Sequence, residues 1–94
     1  MILTFASPET KRIWNGQRSR RYQPDIQNRA LAELALLRAA DILYDLRNPP
    51  GNRLHDLKDD RAGQHSISIN KQWRICFRWK DGNAYDVEIV DYHG

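Results

Sequence analysis

Trp73-Arg74-Ile75-Cys76-Phe77-Arg78-Trp79 and Tyr85-Asp86-Val87-Glu88-Ile89, separated by a segment that contains Lys80-Asp81-Gly82, decide the fold of this 94-residue chain. In both runs large apolar residues alternate with charged or small ones, the period of a strand with one buried face. His65-Ser66-Ile67-Ser68-Ile69 shows the same period just upstream. Parity then restricts the pairing, because Ile75 and Val87 share the core face only if paired residue numbers sum to an even value. A two-residue Asp81-Gly82 turn pairs Trp79 with Ala84 and sets Ile75 against Glu88, burying a charge. A three-residue loop, Lys80-Asp81-Gly82, with Gly82 as a left-handed bulge residue, restores parity. The spacing therefore predicts Phe77 opposite Tyr85, Ile75 opposite Val87 and Trp73 opposite Ile89. The other face collects Arg74, Cys76, Arg78, Asp86, Glu88 and Val90.

Upstream the period changes to that of a helix. Pro24 to Arg47 reads as one long helix with two apolar strips. Leu31, Ala32, Ala35, Leu36, Ala39, Ile42, Leu43 and Leu46 form a broad strip, expected to lie on the sheet. Ile26, Ala30, Leu34, Leu37 and Tyr44 form a narrow one, expected to meet a shorter helix. That shorter helix starts at Ser7-Pro8, a cap followed by proline at the first helical position, and stops near Asn15-Gly16. Met1 to Phe5 reads as a short strand and Gln17 to Gln23 as an exposed loop. Asn48-Pro49-Pro50-Gly51 ends the long helix. The expected fold is α+β: a twisted antiparallel sheet of about four to five strands, with two N-terminal helices on one face.

The chain has room for one domain, residues 1–94, without repeats or linkers. No apolar run approaches the ~18 residues of a membrane span, and Met1-Ile2-Leu3-Thr4-Phe5 lacks the features of a signal peptide. The lone Cys76 excludes an internal disulfide. A reduced, cytoplasmic protein is expected. Fifteen Lys and Arg against twelve Asp and Glu leave +3, and eleven of the fifteen cations are arginine, whose planar fork suits phosphate. Five cations (Lys11, Arg12, Arg18, Arg20 and Arg21) fall in the first 24 residues against Glu9 alone. That concentration points either to a polyanionic or acidic partner or to a solubilising surface.

Phosphate loops and zinc-protease and serine-hydrolase signatures are missing, and His55, His65 and His93 lack metal-ligand spacing. What remains is a scattered set of cations and acid–base groups: His55, Lys58, Arg74, and Asp91-Tyr92-His93 directly after a core strand. Such groups, without a metal, can cleave RNA through its own 2′-hydroxyl. One removes the 2′ proton, one protonates the leaving 5′ oxygen, and cations stabilise the charge on phosphorus. Bland readings stand beside this one. Arg74 faces Glu88 in the expected register, as in a structural ion pair. His55 is equally an ordinary loop histidine, and His65 falls on the core-facing parity of its strand. Trp73 and Trp79 belong to the core, and Cys76 is an inert strand thiol.

Leu57-Lys58-Asp59-Asp60-Arg61-Ala62-Gly63-Gln64-His65-Ser66-Ile67, Asn70-Lys71-Gln72-Trp73-Arg74-Ile75 and Val90-Asp91-Tyr92-His93 together resemble the HigB branch of the RelE/ParE toxins, and Asn48-Pro49-Pro50-Gly51-Asn52-Arg53-Leu54 fits the same branch. The resemblance implies a RelE-like fold and a metal-independent, cofactor-free endoribonuclease that cuts messenger RNA on the translating ribosome. It implies a HigA-like helix-turn-helix antitoxin as partner, with operator DNA reached through that antitoxin, and a toxin that is monomeric alone. By the same resemblance Lys58 and Arg74 contact the scissile phosphate. Asp91, Tyr92 and His93 form the acid–base group, with His93 as proton donor and the 2′ base left between Asp91 and a second histidine state. His55 occupies a further family position. Arg78 on the open face and the basic Arg18, Arg20 and Arg21 are expected to contact RNA. A ParE-like gyrase poison and a catalytically dead RNA- or ribosome-binding homologue are the alternatives.

Overall fold

The computed structural model describes residues 1–91. Helix α1 (Pro8–Trp14) and helix α2 (Pro24–Ala39) precede four strands, β1 (His55–Asp56), β2 (His65–Ser68), β3 (Trp73–Lys80) and β4 (Asn83–Asp91). The strands form one antiparallel sheet in the order β1-β2-β3-β4. Both helices pack on the face built from Ile67, Ile69, Ile75, Phe77, Val87 and Ile89, all buried. Helix α1 starts as expected, with the Ser7 hydroxyl accepting from the Thr10 amide at 3.3 Å. Asn15 closes it, and Gly16 follows at φ +80°. Thr10 is fully buried, and its hydroxyl accepts the amide of Ile89, tying α1 to β4.

The hairpin register differs from the expected one. The turn is the two-residue Asp81-Gly82, both at positive φ, joining Lys80 to Asn83 and Trp79 to Ala84. This is the turn whose twist suits a hairpin best. Parity is restored further along, where the pairing passes from Arg78–Tyr85 to Cys76–Glu88. Asp86 and Val87 there oppose Phe77 alone, and Asp86 takes the left-handed conformation, φ +52°. Beyond this bulge Ile75 lies opposite Ile89 rather than Val87, and Trp73 opposite Asp91 rather than Ile89. The Thr4 hydroxyl accepts the Asp86 amide at 2.8 Å, and the Thr4 carbonyl accepts that of Val87. Residues 1–6 thus run along β4 in parallel through isolated bridges, Ile2 to Ala84 and Phe5 to Val87, instead of forming a full strand.

The long helix is also shorter than expected. It ends at Ala39, Ala40 turns extended, and Leu43–Arg47 forms a separate 3₁₀ segment. The Asp45 carboxylate accepts the amides of Asp41 and Ile42, which starts that new segment and competes with continuation of the helix. The strips do not divide as expected, although Leu46 of the broad one is buried in the core. The narrow strip of Ile26, Ala30, Leu34 and Leu37 enters the core, while Leu31 and Leu36 stay 38% exposed and Ile42 59%. Tyr44, assigned to the narrow strip, is 65% exposed under the guanidinium of Arg47. Nor is the loop after α1 simply exposed: Ser19 and Tyr22 are buried. The Gln27 side chain accepts from the Ser19 amide and donates to the carbonyls of Ser19 and Tyr22.

Candidate active site and nucleic-acid interface

Alternation along β3 sends Arg74, Cys76 and Arg78 to the face away from the helices. Register puts Ser66 and Ser68 of β2 beside the first two of these, and Val90, Glu88 and Tyr85 of β4 on their other side. Among the described residues, two oxygens hold Arg74. Its Nε donates to the hydroxyl of fully buried Ser66 at 2.8 Å, and its Nη2 donates to the Arg53 carbonyl at 2.8 Å. Arg53 is left-handed (φ +47°, ψ +54°) at the end of the short turn Pro50–Asn52. Buried Asn52 fastens that turn by donating to the carbonyls of Leu46 and Asn48, each at 3.2 Å. The loop thus aims a carbonyl at the guanidinium. Both of these oxygens are neutral, and they orient the guanidinium.

The ion pair expected between Arg74 and Glu88 is replaced. The bulge moves Glu88 opposite Cys76, where Arg61 donates to its carboxylate at 2.8 Å and to Gln64 at 3.0 Å. Arg61 and Glu88 cover Cys76, which is 1% exposed, and burial pushes its thiol pKa up. An inert thiol follows.

The structure brings His55 to Arg74's face: His55 pairs with Ser66, the residue that Arg74 touches. Lys58 is exposed at the start of the turn Asp59–Arg61, just beyond β1. Asp91 stands apart. It pairs with Trp73, on the parity of the helix-covered face, and its carboxylate accepts from the Gln72 side chain at 3.1 Å. Tyr92 and His93 lie outside the described residues. His65 has the structural role expected of it, with Nδ1 at 2.6 Å from the Asp56 carboxylate and its ring against Phe77. Among the described residues no group of three His, Cys, Asp or Glu side chains could hold a metal ion.

Arg78 lies at the hairpin end of the open face, 3.5 Å from the Asp86 carboxylate. Arg18, Arg20 and Arg21 border a groove of about 430 Å³ together with Glu9, Arg12 and Ser19. The Ser19 hydroxyl donates to Glu9 and accepts the Arg21 amide. Tyr22, next in the chain, sits edge-on to Trp73 at 5.2 Å, which brings this basic loop to the end of the sheet where Asp91 lies. Sequence reasoning missed Ser66, Arg53 and Arg61. Ser66 had a signal in its parity, which puts it on Arg74's face, opposite Cys76, once β2 is registered on β3. Arg53 acts through a backbone carbonyl, which no side-chain pattern reveals.

The family model described as a RelE-like toxin of the type II toxin-antitoxin system HigB matches residues 3–93. Toxin HigB-1 of Vibrio cholerae serotype O1 is 38% identical over 90 residues, covering 95% of each chain. Endoribonuclease HigB of Proteus vulgaris is 46% identical over 41 residues, 44% of this chain and 45% of that protein. The fold is similar to that of a YafQ mutant from E. coli, with TM-score 0.66 and 12% identity over 99% of this chain and 96% of that one. It is also similar to the YoeB–YefM complex from Staphylococcus aureus, with TM-score 0.63 and 14% identity over 100% and 99% of the two chains.

Proposed function

Because the chain belongs to the HigB-like family of RelE-like toxins of type II toxin–antitoxin systems, we propose that it is an endoribonuclease that cuts messenger RNA on the ribosome and so stops translation. The observation that carries this reading is Arg74, oriented by Ser66 and the Arg53 carbonyl on a face shared with His55. A fixed guanidinium suits a phosphate whose charge grows during the reaction, since it needs no reorganisation as the transition state forms.

In the proposed mechanism Arg74 and Lys58 hold the scissile phosphate, and His93, Asp91 and Tyr92 move protons. His93 donates to the departing 5′ oxygen, because histidine titrates nearest to neutral pH. The 2′-hydroxyl attacks its own phosphorus, so the products carry a 2′,3′-cyclic phosphate or a 3′-phosphate, and no metal takes part. His55, Arg78 and the loop cations Arg18, Arg20 and Arg21 contact RNA, the last three supplying screened contacts to phosphates. The partner is an antitoxin, here taken as a HigA-like helix-turn-helix protein that links the toxin to operator DNA. The setting is the cytoplasm.

Cleavage mapping on a translated message tests the reading. His93→Gln is expected to slow cleavage ~10²- to 10⁴-fold while antitoxin binding persists. A 3′-hydroxyl product, or cutting at a 2′-deoxy nucleotide, would rule out the 2′-hydroxyl route. Gyrase inhibition without RNA cleavage would replace the reading with that of a gyrase poison.

A further inference from the structure

A second groove opens at the hairpin end of the sheet. It has a volume of about 610 Å³, and its lining includes Gly63, Arg78, Trp79, Asp81, Tyr85 and Asp86. Tyr85 lies directly across from Arg78 in the register and is half-buried, and both residues line the groove. Gly63 leaves the room that Arg78 needs: a Cβ there would come within 3.1 Å of Nη1, and its φ of +89° disfavours a side chain as well. The ion pair to Asp86 is long, and the two side chains remain 47% and 52% exposed, so Arg78 stays accessible where it lines the groove.

The charges here differ in kind from those around Arg74. Arg78 and Lys80 are matched by Asp81 and Asp86. A phosphate gains little from such a balanced set, because the carboxylates repel it. A neutral, planar, hydrogen-bonding group gains from stacking and from acceptors at its edge. Arg74 and Arg78 are four residues apart on one strand, roughly 13 Å at the usual rise per residue. Arg61 crosses the sheet between them, bonded to Glu88 opposite Cys76.

We propose that Tyr85 and Arg78 form a subsite for one nucleobase of single-stranded RNA, displaced along the strand from the cleavage position. Given the nuclease reading on which this rests, the base is a neighbour of the scissile nucleotide, and the groove sets how the message is held there.

The test uses the whole chain and an eight-nucleotide RNA with a 2′-deoxy sugar at the cut site. Binding is followed through tryptophan fluorescence, since Trp79 lines the groove. One abasic position is walked along the RNA. At a single position its presence should weaken binding about tenfold, the usual scale for one base stacked on an aromatic ring. Tyr85→Ala should weaken the intact RNA by a similar factor and abolish sensitivity at that position alone, whereas Tyr85→Phe keeps both. Arg78→Gln, which leaves the Tyr85 ring in place, should reduce the same sensitivity. Equal abasic profiles in the parent, Tyr85→Ala and Arg78→Gln proteins would overturn the subsite. Cleavage on programmed ribosomes is measured alongside: its absence with position-dependent binding intact would overturn the nuclease reading and leave the subsite standing.

Discussion

One strand, β3, serves two faces that are ordered by different forces. Trp73, Ile75, Phe77 and Trp79 meet helices α1 and α2 and are positioned by close packing. Arg74, Cys76 and Arg78 meet no helix. Among the described residues they are positioned by hydrogen bonds that Arg74 donates to a buried serine and a loop carbonyl, by the Arg61–Glu88 bridge, and by Asp86. Packing is shared among many small contacts, so the covered face tolerates little change of volume but holds no special group. Among the described residues, the groups on the open face are held by individual named partners instead. Single substitutions on the open face are therefore expected to act locally.

The comparison breaks most visibly in the core. Phe77 is fully buried, and Phe77→Ala is expected to cost about 3–5 kcal/mol, measured by urea unfolding. A loss below about 1 kcal/mol would mean that the covered face is not ordered by packing. Arg74→Ala should do the reverse. Cleavage is expected to fall about 10²- to 10³-fold, while the unfolding free energy changes by about 1 kcal/mol, the worth of its hydrogen bonds. A large stability loss with unchanged cleavage would make Arg74 a structural residue. Arg61→Ala sharpens the picture of what covers Cys76. It should cost no more than about 1 kcal/mol, being a partly exposed pair, yet raise the rate at which a thiol reagent labels the native protein. Unchanged labelling would show that other groups seal the thiol.

The smallest effect is expected on α2. Burial pushes the Glu33 carboxyl above its ordinary 4.5, Arg29 pulls it back, and Oε2 is buried without a hydrogen-bond partner among the described residues. A raised folded-state value means that folding favours the proton, so ionised Glu33 disfavours the native state above that value. Glu33→Gln should therefore raise stability slightly at pH 7. The gain should fade as pH falls through the raised folded value and vanish below the unfolded one. A gain independent of pH would assign it to something other than the charge.

Much of this was legible from particular residues. Alternation in β3 and β4, the Ser7 cap and the Gly16 stop were all read locally, because each depends on neighbours in sequence. The parity argument was right that Ile75 must not oppose Glu88, but it placed the correction in the turn. The bulge sits at Asp86 instead, and an aspartate gives no clear sign of positive φ where glycine would. The two strips of α2 were misassigned because the broader one contains more apolar residues, yet the sheet takes the strip with the larger share of its bulk at Ile26, Leu34 and Leu37. Arg74 and His55 were legible as candidates, and they share one face of the sheet. Their supports were not, since a loop carbonyl and the pairing of β2 with β3 depend on contacts distant in sequence.

The segment that runs along β4 has a consequence for assembly. A sheet border with unpaired amides is a template on which another chain can lay a strand. Here the Met1 and Thr4 carbonyls take the amides of Ala84 and Val87, and the Thr10 hydroxyl takes that of Ile89. The opposite border, β1, is only two residues long. A partner that extended this sheet along β4 would first have to strip residues 1–6 from it, so the route left open to association runs across the faces and loops.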